Sequence, residues 1–166
     1  MRILRLLGLL IAFLLVTAIP AFPAHAASSA AIRAYDDLQP SAQDYSGQNL
    51  VRSEFGDADL RNANFTEADL RGAVFNGANL ANANLSGADF SDGIAYITNF
   101  ANANLSNAVL TSAMLLKSNF KGTTVTGADF SDATLDRVQV LELCKTASGR
   151  NPVTGVDTRE SLGCKG

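Results

Sequence analysis

Ala58-Asp59-Leu60-Arg61-Asn62-Ala63-Asn64-Phe65-Thr66-Glu67-Ala68-Asp69-Leu70-Arg71-Gly72 decides the fold. A large apolar residue returns every fifth position, a small residue stands two before it, and Asp or Asn stands one before it. Followed outward, the phase holds from Tyr45 to Val140 through Leu50, Phe55, Phe75, Leu80, Leu85, Phe90, Phe100, Leu105, Leu110, Leu115, Phe120, Val125, Phe130 and Leu135. Of twenty such centres only Ala95 is small, and the other 78 residues of 43–140 hold just nine large apolar side chains. A period of five matches neither an amphipathic helix nor a flat strand, so it is a structural repeat. Centre and Ala flank one polar residue, so both can point inward while that residue points out. The two trailing positions are Gly, Ser, Asn, Thr or charged, which suits a corner.

These units resemble the pentapeptide-repeat family over residues 43–140. The resemblance implies an all-β chain, a right-handed quadrilateral β-helix with four pentapeptides per coil. Twenty centres then make about five coils, roughly 24 Å long at the strand spacing of about 4.8 Å. No single repeat can bury its apolar side, so stability must come from stacked neighbours.

The first 26 residues read differently. Met1-Arg2-Ile3-Leu4-Arg5 is basic, Leu6 to Ile19 is apolar, and Ala24-His25-Ala26 fits a small-x-small cleavage site. This is the pattern of a secretory signal peptide over 1–26; an uncleaved anchor is the alternative, for which the apolar run is short. Residues 27–42 are helix-friendly up to Asp37 and stop at Pro40, which predicts a short N-terminal helix or flap. Removing 1–26 leaves 11 basic against 16 acidic residues and no histidine. An acidic chain of this kind has no basic patch for nucleic acid.

Cys144 and Cys164 follow the last centre. In an exported chain two cysteines most simply form one disulfide, which would staple residues 141–166 as a cap over the open end of the coils, whose edge would otherwise invite pairing. A redox-active pair is the rival, although nineteen intervening residues are unlike Cys-x-x-Cys. Asp157 and Glu160 have capping-box spacing for one helical turn. The flanks, Ala31 to Asp37, Asp44 to Leu50, Leu143-Cys144-Lys145 and Asn151 to Cys164, look like exported pentapeptide-repeat proteins of cyanobacteria and chloroplasts. That likeness implies the thylakoid lumen, with the periplasm as the alternative and membrane contact only during export.

Catalysis finds little support. Without histidine the usual base near neutral pH is missing. Two distant cysteines make no zinc site, no phosphate loop or dinucleotide fingerprint occurs, and the singly spaced Asp and Asn residues lack a calcium-loop pattern. No cofactor, metal or small-molecule substrate is expected.

One face stands apart. If residues twenty apart stack, Val74, Ile94 and Met114 fall one above another, with Tyr96, Ile97 and Leu116 beside them. Six of the nine off-phase large apolar residues therefore share one side, and such clusters mark interaction surfaces. The chain's own termini, a second copy or a foreign protein could cover it. The leading expectation is a non-catalytic interaction or scaffold protein using this face. The alternatives are a redox-responsive protein switched at Cys144–Cys164 and, less favoured, an acidic DNA-mimic inhibitor.

Overall fold

The computed structural model describes residues 43–165. The expected signal peptide and N-terminal helix or flap lie outside the described residues. Fifteen parallel bridges run through the described chain, from Asp44↔Asn64 to Met114↔Thr134, and each joins a residue to the one twenty further on. Twenty residues per turn of the chain, with a corner every five, is a four-sided coil. The polar residue before each centre forms the rung. Its neighbours reach up and down: Phe65 N–H donates to Asn84 O at 2.7 Å, and Asn84 N–H donates to Ala63 O at 2.9 Å.

The corners close by a bond from centre to the next small residue, as in Ala63 N–H to Leu60 O at 3.1 Å; the corner of Ile97 differs, Thr98 N–H donating instead to the Ser118 hydroxyl at 2.9 Å. The residue before that donor takes a positive φ, +61° at Asn62 and +67° at Gly72, as a type II turn requires. Gly, Asn and Asp dominate there because they tolerate the left-handed region. Ile97, at φ +57°, is the β-branched exception.

The core is the stacked centres with the small Ala residues between them, Leu60, Phe65, Leu70, Phe75 and Leu80 all being fully buried. Rings stack at the coil spacing: Tyr45 on Phe65 and Phe55 on Phe75 at 4.8 Å, Phe100 on Phe120 at 5.2 Å. Each such side chain contributes about 1.5–3 kcal/mol by leaving water. Where Ser or Thr replaces the inward Ala, its hydroxyl bonds a carbonyl of the coil below, as Thr98 does to Phe75 O and Thr123 to Phe100 O, both at 2.7 Å. A buried hydroxyl is thereby satisfied.

The small centre Ala95 has a structural reason. Gly93 occupies the inward position held by Ala73 and Ala113 in adjacent coils, and a Cβ there would overlap the ring of Phe90. Phe90 fills the room left by Gly93 and Ala95 and lies 5.6 Å from Phe75.

The coil ends earlier than the period suggests. Val140, on phase as a twentieth centre, lies in helix α1, Arg137–Leu143, so the boundary falls near Leu135 rather than at 140. Asp136 accepts from Gln139 N–H at 3.0 Å, and the Gln139 side-chain carbonyl accepts from Asp136 N–H at 2.7 Å, a reciprocal capping box that starts the helix. The Gln139 side-chain amide then donates to Ser118 O at 2.8 Å. In the ladder's pattern that carbonyl would take the backbone N–H of residue 139, so the side chain ends the sheet in place of another rung.

Helix α2, Thr158–Ser161, is capped by Asp157, which accepts from Arg159 and Glu160 N–H groups. Cys144 and Cys164 are joined in a disulfide, and Leu143 and Leu162 are buried against the top of the column.

Candidate interaction surface

The four faces are told apart by their rungs. The first carries Asp44, Asn64, Asn84, Asn104 and Thr124; the second Asn49, Asp69, Asp89, Val109 and Asp129; the third Glu54, Val74, Ile94, Met114 and Thr134; the fourth Asp59, Asn79, Asn99 and Asn119. On the fourth face the amides form a vertical chain, with Asn99 to Asn79 at 2.9 Å and Asn119 to Asn99 at 3.0 Å; on the first, Asn104 donates to Asn84 at 3.1 Å and Asn84 to the Thr66 hydroxyl at 2.8 Å. The same side chains accept from the backbone two residues on, as in Ala101 N–H to Asn99 at 3.1 Å. An Asn or Asp placed this way holds both rung and corner. Asp59 and Asp69 are held below the usual carboxylate value by hydrogen bonds from Arg61 and Arg71 respectively.

The third face has no Asn or Asp rung. Val74 and Ile94 are half-buried and Met114 is 44% exposed; at the corner leading to the fourth face Tyr96 and Leu116 are half-buried and Ile97 is 55% exposed. The six residues expected from the sequence are thus brought to one side over three successive coils. Lys117, above Ile97 on the same corner, donates to the Tyr96 hydroxyl at 2.8 Å and lies over its ring at 5.3 Å. That hydrogen bond holds the lysine above its usual value. Below Ile97, Gly77 leaves a shallow groove of ≈ 380 Å³ walled by Val74, Tyr96 and Ile97 and floored by Glu54 and Asp57. The Asp57 carboxylate leans over Gly77, where a Cβ would otherwise stand.

The C-terminal cap meets the column at two corners: Gln139 of α1 donates to Leu115 O at 2.7 Å and Ser118 O at 2.8 Å, on top of the corner between the third and fourth faces. Asn151 bonds the carbonyls of Asn107 and Ala108 at 3.2 Å each and of Gly127 at 2.9 Å, and Gly127 N–H donates to Ser148 O at 2.8 Å. These contacts hold the loop around Asn151 at the corner between the first and second faces. Val109, the off-phase apolar residue of the second face, is buried beside them at 9% exposure. Asp129 is 1% exposed. Burial pushes its carboxyl up, but hydrogen bonds from Ser131 and Thr154 outweigh that and hold it below the usual value. Besides Val51 and Val153, which stand singly, the sequence reading passed over the exposed pair Val138 and Leu141, on one side of α1, 76% and 58% exposed. Their spacing of three is a helical signal, hidden because the five-residue phase was carried on to Val140.

Among the described residues no cluster of three or more Cys, Asp or Glu side chains is arranged to hold a metal.

The comparisons with known proteins agree with this architecture. A family model for pentapeptide repeats matches eight copies, over residues 47–92 and 98–132. A thylakoid lumenal protein of Arabidopsis thaliana, TL20.3, is 68% identical over 37 residues, which is 22% of this chain and 13% of that protein. A crystal structure of a pentapeptide-repeat protein from the Arabidopsis thaliana thylakoid lumen matches at 40% identity and a TM-score of 0.57, covering 74% of this chain and 86% of the other. HetL of the cyanobacterium Nostoc sp., involved in heterocyst differentiation regulation, matches at 25% identity and a TM-score of 0.46, over 62% of this chain and 44% of its own. The matches indicate no enzyme family, and they imply the right-handed quadrilateral β-helix. The chain belongs to the pentapeptide-repeat family and is a member of its thylakoid-lumenal kind.

Proposed function

We propose that the protein is a non-catalytic interaction or scaffold protein of the lumen that binds another protein surface through its third face. One observation carries this reading. The other three faces display Asn and Asp chains that suit water, while the third displays Val74, Ile94, Met114 and Ile97. A contiguous apolar patch framed by polar faces is the usual mark of a contact surface. Corner strain adds to the case. A β-branched residue at positive φ is disfavoured, and Ile97 is exposed, so core packing does not call for it there. Strain held at an exposed position points to a role outside the fold.

The experiment is a triple variant, Ile94→Ser, Tyr96→Lys and Ile97→Ser. These side chains point away from the column, so the melting temperature of the isolated chain should hold within a few degrees. In native lumenal extract the wild-type protein should elute in an assembly larger than the chain, and the variant should leave it. A variant that stays in the assembly refutes the reading. A variant that melts well below wild type as an isolated monomer means that the chain's own termini cover the face.

A further inference from the structure

We propose that the third face binds a second copy of this chain, the two columns antiparallel about a two-fold axis that crosses the face at Ile94. This rests on the interaction reading above and names its partner. Such an axis turns the face onto itself, so the first rung meets the fifth and the second meets the fourth; a two-fold contact must be self-complementary in this way.

Rung by rung, the face has that property. Ile94 meets its own copy, and Val74 meets Met114. At the corner toward the fourth face Ile97 meets Ile97, and Lys117 meets the groove left by Gly77. That groove offers what a lysine side chain needs: apolar walls from Val74, Tyr96 and Ile97 for the stem, and the Asp57 carboxylate, leaning over Gly77, for the ammonium. Within one chain Asp57 and Lys117 stand three rungs apart, so the pair forms only between copies. At the corner toward the second face Arg52 meets Asp132. Asp92 meets itself there, at an exposed rim where water screens the repulsion. A parallel two-fold would instead set Ile97 against Asp92 and Lys117 against Ser112, leaving the groove empty. The face is only five rungs tall, so the contact belongs with the small interfaces that associate weakly and reversibly.

The test is sedimentation equilibrium of the processed, exported protein from low micromolar to near-millimolar concentration, with charge-reversed variants. Wild type should pass from monomer to dimer. Asp57→Lys and Lys117→Glu should each weaken self-association about tenfold or more, and the double variant should return to within about threefold of wild type. The fold should tolerate all three, because Arg52 and Glu67 already occupy equivalent positive-φ corners; circular dichroism checks this. A wild type that stays monomeric throughout overturns the proposal. So does a double variant as weak as the singles, since a parallel pairing would bring the Asp57→Lys change against Arg52 and restore nothing. The wider reading fails separately: it falls if the triple variant stays in the native assembly, and it stands if that variant drops out while the purified wild type is monomeric.

Discussion

Gly93→Ala is the sharpest test of how the column is packed. The position is buried, its φ is not in the left-handed region, and Ala73 and Ala113 occupy its equivalents in the coils below and above. On pattern alone the substitution should stabilise. An added buried methyl contributes about 0.8 kcal/mol, and loss of glycine's freedom in the unfolded chain contributes about 0.4–1 kcal/mol. The structure predicts the opposite sign, because the new Cβ would overlap Cε2, Cζ and Cδ2 of the Phe90 ring. That ring is packed against Phe75 and has nowhere to go, so overpacking should cost about 1–3 kcal/mol. Leu occupies the equivalents of Phe90 at Leu50, Leu70 and Leu110. In a Phe90→Leu background the same Gly93→Ala change should therefore become neutral or stabilising. Urea unfolding of the four proteins gives the coupling, expected at about 2 kcal/mol or more. An equal effect of Gly93→Ala in both backgrounds would refute the idea that Gly93 and Ala95 exist to seat Phe90.

Phe100→Asp should unfold the coils, since an unpartnered charge in this core costs several kcal/mol, while Asn102→Asp, two residues on and exposed, should melt with wild type. Both variants behaving alike would overturn the inward and outward assignment. Ile97→Asn should raise thermal stability by about 1 kcal/mol by relieving a left-handed β-branched residue, as Asn82 and Asn102 occupy equivalent corners, and should weaken self-association; no gain in melting temperature removes the strain argument. Asp129 has a depressed carboxyl, so its stabilisation is present above its unfolded value of about 3.9 and is lost as pH falls through the lower folded value. Asp129→Asn should flatten the melting profile in that acid range, and an unchanged acid slope counts against the cap contact. Reduction of Cys144–Cys164 should cost on the order of 3 kcal/mol and loosen the cap while the β signal persists; collapse of the whole column on reduction would show that the coils depend on the staple.

The column was legible because one period governs it. Leu60, Phe65 and Leu70 announce themselves in one dimension, and the bridges at twenty-residue intervals follow from four units per coil. The third face was legible for the same reason, since Val74, Ile94 and Met114 differ by twenty. What the sequence hid is what depends on contact between coils. Ala95 reads as a defect until the Phe90 ring is seen over Gly93. The end of the coil is set by Gln139 reaching Ser118 O, and nothing in the phase of Val140 reveals that. Where the cap's loop would settle was equally unreadable, because it turns on Asn151 finding carbonyls at Asn107, Ala108 and Gly127.

The twenty-residue register makes length quantised. Removing four pentapeptides, such as 61–80, would shorten the column by one storey and leave every later residue above its old neighbour's column. Removing one pentapeptide would turn everything after it by a quarter revolution. Lost from between Val74 and Ile94, it would leave Val74 beneath Asn99 and Asn119 and cut the apolar stripe in two, while Asn151 kept its carbonyls at Asn107, Ala108 and Gly127, which turn with it. Relatives of this protein can therefore vary in height while keeping one working side only by gaining or losing units in fours.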